Sequence, residues 1–222
     1  MSTSLLHIKN LCIERGEQQL VDGLDLDIVA GEIVQVAGQN GAGKTTMLRT
    51  IAGLRTAEEG AFEWRGTVVR HPEAYTDEIL YLGHKSAVRA QLTVLENLNN
   101  FASSQPGVEA PSIEQRLQAL NEMGLAGYED DLCSRLSAGQ RRRVGLARLR
   151  LSQSALWILD EPFTAIDKEG VKHLCGWIDD FAREGGAVIY TTHQPVEFPT
   201  VTQRTVDLNV AASTQPDVQS QC

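Results

Sequence analysis

Gly38-Gln39-Asn40-Gly41-Ala42-Gly43-Lys44-Thr45 fits the pattern GxxxxGK[ST], and it lies between an apolar run at residues 33–37 and a helical pattern at 44–52. Strand, glycine-rich turn and helix is the context that a phosphate-binding loop requires. The glycines let backbone amides turn inward around phosphate oxygens, and the helix N-terminus adds partial positive charge. Lys44 would then reach the β and γ phosphates of a nucleotide, and the Thr45 hydroxyl would hold Mg²⁺.

Downstream, the apolar run at 155–159 ends in Asp160 and Glu161. Two carboxylates at the end of a buried strand are costly unless a metal or a substrate lies beside them. With the phosphate loop upstream, Asp160 is assigned to Mg²⁺, usually through water. Glu161, one step further, is assigned to the water that attacks the γ phosphate, as general base. Leu136-Ser137-Ala138-Gly139-Gln140 precedes a helical pattern at 141–151. That places the Ser137 hydroxyl and the following amides at a helix N-terminus, a second anion-binding arrangement.

The remaining pattern is that of an α/β protein. Short strands are expected at 6–13, 24–28 and 33–37, then at 61–64, 67–70 and 79–82. A helical insert follows: Thr93 with Glu96 and Ser112 with Gln115 have capping-box spacing, and Ile113, Leu117, Leu120 and Met123 mark one face of the second helix. Val171, Leu174, Cys175, Ile178 and Phe181 form another helical stripe, before a buried strand at 187–190. Strands alternating with helices imply a parallel core sheet.

Composition narrows the function classes. The chain has 222 residues, of which 42% are hydrophobic and 22% charged, enough for one domain with a real core. Stretches free of Asp, Glu, Lys and Arg reach only about a dozen residues, short of the roughly 18 that a spanning helix needs. The N-terminus has no basic segment leading into an apolar one, so no secretory signal is read and a cytosolic protein is expected. A net charge of -9, from 20 Lys and Arg against 29 Asp and Glu, argues against general nucleic-acid binding. Cys12, Cys133, Cys175 and Cys222 form neither CxxC nor a Cys/His cluster, so no zinc site or redox pair is indicated. The polar segment 211–222 has no apolar face and is expected to be a disordered tail.

Phosphate loop, helical insert, Leu136–Gln140 motif and carboxylate strand, in that order, resemble the ATP-binding cassette family over about residues 6–208. The resemblance implies an α/β P-loop NTPase of that type in a single domain at 1–210. It would have a parallel core sheet, an N-terminal antiparallel β layer and a helical subdomain at about 88–152. Residues Leu136, Ser137, Ala138, Gly139 and Gln140 then look like the signature, which acts on the ATP of a second copy; Ala138 stands where a second glycine is commoner. Phe163-Thr164-Ala165-Ile166-Asp167 fits the D-loop at the dimer interface, and His193 in Tyr190-Thr191-Thr192-His193 fits the switch histidine on the γ phosphate. The implied catalytic set is Glu161, His193 and Lys44. The implied ATP-binding set is Gly38, Gln39, Asn40, Gly41, Ala42, Gly43, Lys44, Thr45, Thr46 and Arg15, with Thr45 and Asp160 on Mg²⁺.

Two positions depart from the family. Arg15 stands where relatives place an aromatic residue against adenine; its guanidinium plane either stacks there or is solvated. His84 stands where the family has a glutamine that touches Mg²⁺ and communicates with the membrane partner. Imidazole nitrogen suits that cation poorly, so His84 is assigned to coupling, with turn capping as the alternative. Within the family, His84, the run at 160–167 and Thr191-Thr192-His193-Gln194 look most like the ATP-binding subunit of the bacterial cytochrome c maturation, or haem exporter, complex. That likeness implies an ATPase on the cytoplasmic face of the inner membrane, peripheral, bound to integral membrane subunits and to a second copy of itself head to tail. No haem site is readable, and the Arg141-Arg142-Arg143 run belongs to the helix behind the signature rather than to a nucleic-acid patch. The alternatives are another bacterial transporter's ATPase subunit and a soluble, non-transport cassette ATPase.

Overall fold

A computed structural model describes residues 4–70, 72–103 and 110–208; the expected tail at 211–222 and Cys222 fall outside them. In chain order the elements are β1 (Ser4–Arg15), β2 (Gln18–Val29), β3 (Ile33–Ala37), α1 (Lys44–Ile51), β4 (Glu59–Trp64), β5 (Thr67–Val69) and β6 (Ile79–Leu82). They continue with α2 (Val94–Ser103), α3 (Ile113–Glu122), α4 (Ala138–Ala147), β7 (Leu156–Asp160), α5 (Lys168–Arg183), β8 (Ala187–Thr191) and β9 (Gln203–Asp207).

Two sheets follow from two kinds of pattern. The alternating segments form an antiparallel sheet in the order β2-β1-β4-β5. The continuous apolar runs form a parallel sheet in the order β6-β7-β8-β3-β9. All five residues of β7 and of β8 are buried, as strands covered on both faces must be. Their period of two divides the core. Leu156, Ile158, Ala187 and Ile189 pack with Met47 and Leu48 of α1 and the antiparallel layer. Trp157, Leu159, Val188 and Tyr190 pack with the helices, including Leu98, Leu120, Val144 and Ile178.

Both capping boxes form: Glu96 Oε2 accepts from Thr93 N–H at 2.8 Å and Thr93 Oγ1 from Glu96 N–H at 3.1 Å, while Gln115 Oε1 accepts from Ser112 N–H at 2.7 Å and Ser112 Oγ from Gln115 N–H at 3.3 Å. The expected face of α3 is corrected. Ile113 and Leu117 are exposed at 41% and 37%, while Ala119, Leu120 and Met123 are buried. Only the C-terminal half of α3 meets the core; nearer its start, Arg116 reaches the Pro111 carbonyl and the Asn99 side chain instead. The helical stretch at 141–151 also differs: α4 begins three residues earlier, ends at Ala147 and continues as a 3₁₀ turn, Arg148–Leu151.

Strand order sets the site. Parallel strands bring their C-terminal ends to one edge, where ligands bind in open α/β sheets. β3 runs there into the phosphate loop, Asp160 of β7 pairs with Thr191 of β8, and Thr191 pairs in turn with Val36 of β3.

Candidate active site

At the end of β3 the chain turns on Ala42 N–H donating to the Gln39 carbonyl at 3.1 Å and enters α1 through Gly43. Gly43 has φ 96° and no side-chain cap, so the first amides of α1 remain available to an anion. A Cβ there would lie 2.9 Å from Cβ of Leu20. The position therefore needs glycine twice over, for its backbone angle and for the approach of β2. Lys44 is buried, and its ammonium donates to the carbonyls of Gly38 and Gln39 at 2.7 and 3.0 Å.

This loop borders a cleft of 460 Å³ into which Asn40, Gly41, Gly43, Lys44, Thr45 and Thr46 project. Arg15, His84, Asp160, Glu161 and His193 complete its walls, together with Thr164 and Gln194, which the sequence placed in the runs at 163–167 and 191–194 but not among the ATP-binding residues. Gly38, Gln39 and Ala42 build the turn beneath without lining the cleft. Residues 136–140 and Asp167 do not line it either.

At the cleft floor, Thr45 Oγ1 donates to Asp160 Oδ1 at 3.0 Å, and Thr191 Oγ1 donates to the same oxygen at 3.0 Å. Asp160 is 1% exposed, and its Oδ2 is buried with no hydrogen-bond partner among the described residues. An orphaned buried carboxylate oxygen is expensive unless a cation meets it. A hydroxyl beside a carboxylate is the hard-oxygen donor set that suits Mg²⁺, which keeps waters and takes the rest of its ligands from phosphate. No three His, Cys, Asp or Glu side chains gather elsewhere as a cation site among the described residues.

Glu161 follows with φ 52°, a left-handed conformation that costs a non-glycine residue about 1–2 kcal/mol. Its N–H donates to Thr191 Oγ1 at 3.0 Å, and its carboxylate Oε1 lies 3.3 Å from His193 Nε2. Its carbonyl accepts from Arg142 at 2.9 Å. Sequence reasoning gave Arg142 no such place. Arg142 is buried, and its other bonds go to the carbonyls of Asp160, Gly83 and His84. Burial pushes its pKa below the ordinary value against the opposing pull of Asp160 and Glu161. No local signal singles it out: three consecutive arginines cover about 200° of a helix and leave room for a buried stripe of about 100° elsewhere.

The signature residues sit at the start of α4. Ser137 is its N-cap: the hydroxyl oxygen accepts from Gln140 N–H at 3.1 Å and Gln140 Oε1 accepts from Ser137 N–H at 2.9 Å. The Ser137 hydroxyl hydrogen stays available as a donor. Leu136 is buried against the core, and Ala138 is the first helical residue. A Cβ on Gly139 would stand 2.8 Å from the Ala165 carbonyl oxygen, so the absent side chain is what lets the 163–167 loop lie on α4. Asp167 closes that loop as the N-cap of α5, accepting from Gly170 N–H at 2.9 Å, with Arg143 3.8 Å away.

Comparison with known proteins places this geometry. Residues 21–164 match the ABC transporter family model. The chain is 49% identical to the cytochrome c biogenesis ATP-binding export protein CcmA of Vibrio cholerae, over 86% of this chain and 91% of that one. It is 46% identical to the CcmA of Hahella chejuensis over 86% and 90% of the respective chains. Among solved structures it superposes on the ATP-binding subunit of an ABC transporter with a TM-score of 0.77 and 26% identity, covering 86% of this chain and 80% of that one. An ABC transporter ATP-binding protein from Pyrococcus furiosus gives a TM-score of 0.78 at 25% identity, covering 92% and 98%. A phosphate loop facing a carboxylate strand, with a capped signature helix behind them, is thus the arrangement of an ATP-binding cassette, and the chain belongs to the ABC transporter ATPase family, in its branch of CcmA proteins.

Proposed function

We propose that this chain is the ATP-hydrolysing subunit of a membrane complex that supports haem delivery for c-type cytochrome biogenesis. The observation that carries the ATPase chemistry is the bonded series Thr45, Asp160, Thr191 and Glu161 across the ends of β7 and β8 and the start of α1. What carries the biological role is the likeness to the CcmA export proteins along most of both chains.

Bound at Thr45 and Asp160 with the nucleotide, Mg²⁺ would neutralise charge on the phosphate oxygens. The chain's own residues do the rest. Loop amides and Lys44 hold the phosphates, with Lys44 exchanging its two carbonyl partners for phosphate oxygens. Glu161 accepts a proton from water as the water oxygen attacks the γ phosphorus and the bond to the β–γ bridging oxygen breaks, giving ADP and phosphate. His193 beside Glu161 donates to a γ-phosphate oxygen. Ser137 and the α4 N-terminus, absent from this chain's own cleft, close the cleft of a second copy bound head to tail, so that ATP occupancy joins two subunits and hydrolysis releases them.

Among the described residues no helix is long and apolar enough to cross a membrane. The likeness to CcmA export proteins supports the reading that the membrane is reached through integral membrane subunits, with this chain peripheral on the cytoplasmic side. Affinity purification from detergent-solubilised membranes tests the assignment: integral membrane subunits of a cytochrome c maturation system should copurify. Copurification with the membrane subunits of a different transporter would reject the biological role while leaving the ATPase reading intact.

A further inference from the structure

We infer that Arg142 is a positioning residue for hydrolysis: through its buried guanidinium it holds the backbone of Glu161 in place, and makes that placement depend on the signature helix and the His84 loop. The inference rests on Glu161 as the group that activates water.

Four carbonyls meet one side chain. Arg142 Nη2 donates to Asp160 and Glu161 at 3.2 and 2.9 Å, and Nη1 donates to Gly83 and His84 at 2.6 and 3.3 Å. Two of these belong to the end of β7 and two to the loop after β6. The arginine itself rises from α4, four residues behind the helix start at Ala138. Three elements that must act in concert therefore share one fixed cation, and a planar fork spans them where a single ammonium cannot.

Glu161 needs such a hold. Its left-handed backbone is not one that glutamate prefers, and it persists only if both sides of the residue are fixed. Thr191 fixes the N–H; the carbonyl is fixed by Arg142 at 2.9 Å, with the longer 3.3 Å bond from Thr164 N–H on the same oxygen. The same helix grips the loop at two further points. The Gly145 Cα approaches Ser86 so closely that a Cβ would stand 2.7 Å from its carbonyl oxygen, and Arg148, in the turn after α4, donates to the Ala87 carbonyl at 2.8 Å. Displacement of α4 by nucleotide at the signature, or of the loop by a partner at His84, is thereby transmitted to the carbonyl of Glu161 and to the aim of its carboxylate.

The test uses the complete complex with its membrane subunits and compares wild type, Arg142→Lys, Arg142→Met and Glu161→Gln, measuring kcat, KM and ATP affinity. Misplacing a reacting group by about 1 Å can cost on the order of 10²-fold. Both Arg142 variants should lose about 10- to 100-fold in kcat, with KM and ATP affinity within about three-fold of wild type, and lysine should not rescue. Thr191→Val, which frees the other side of Glu161, should also lower kcat. Should Arg142→Met fail to fold, Arg142→Lys keeps a buried cation and decides the matter. Wild-type kcat in Arg142→Lys, or a parallel loss of kcat and ATP affinity, would overturn the inference. An active Glu161→Gln would instead overturn the reading on which it rests.

Discussion

The hydroxyl of Thr45 donates to Oδ1 of Asp160 across 3.0 Å, although 115 residues separate the two in the chain. The pair joins the first turn of α1 to the end of β7 and leaves Asp160 Oδ2 facing no protein donor among the described residues. Cation binding at this pair has a direct signature. Mg²⁺ should tighten ATP binding to wild type, and Asp160→Asn should abolish that tightening and lower turnover by at least about 10²-fold. Titrating each protein with ATP in Mg²⁺ and in chelator, with equal Mg²⁺ enhancement in both, would remove Asp160 from the metal site.

Gly139 is the point where the signature helix touches the 163–167 loop. Gly139→Ala puts a methyl 2.8 Å from the Ala165 carbonyl oxygen, and backbone must move to admit it. Overpacking of this kind costs about 1–3 kcal/mol. If the signature serves the other copy, as proposed, the variant should bind ATP normally yet lose ATP-dependent association when combined with Glu161→Gln. Sedimentation that shows the same ATP-induced dimer with and without the substitution contradicts that assignment.

His84 lines the cleft, and its carbonyl is held by Arg142. His84→Ala leaves that carbonyl bond in place, so ATP binding should persist with a modest loss of basal hydrolysis. Stimulation by the membrane subunits should largely disappear. Full stimulation of the variant would return His84 to a turn-capping role.

Much of this site was legible in sequence because its signals are local. The phosphate loop carries its glycines, lysine and threonine in eight consecutive residues, and β7 announces itself as an apolar run closed by two carboxylates. β9 was not legible. Val206 is its one large apolar residue, and what makes it a strand is backbone pairing along β3, which no side-chain pattern reports. Arg142 escaped for a related reason: its partners are main-chain carbonyls 58 and 59 residues upstream and 18 and 19 downstream. The exposed start of α3 shows the converse error, since Ile113 and Leu117 keep helical spacing where no core element lies against them.

Burial pushes the Cys175 thiol up to about 11 and raises that of Cys133 as well. Thiolate is the reactive form, so Cys175, near 11 rather than 9, holds roughly 10²-fold less of it at pH 8. Brief alkylation of the native protein should spare both residues, and unfolding should open both to the reagent. Because the folded state holds the Cys175 proton more tightly, its contribution to stability is complete below pH 9 and fades as pH rises toward 11. Rapid native labelling of Cys175, read by peptide mass, contradicts this packing.

If hydrolysis at Glu161 drives haem delivery, one cell-based measurement reports on chemistry and biology together. A strain whose sole copy carries Glu161→Gln, at wild-type protein level, is stained for covalently bound haem. General-base loss is worth on the order of 10² to 10⁴ in rate, enough to stop a continuous supply process. The c-type cytochromes should vanish from the stain while b-type cytochromes, seen by absorbance, remain. Wild-type covalent haem staining in that strain would contradict the account.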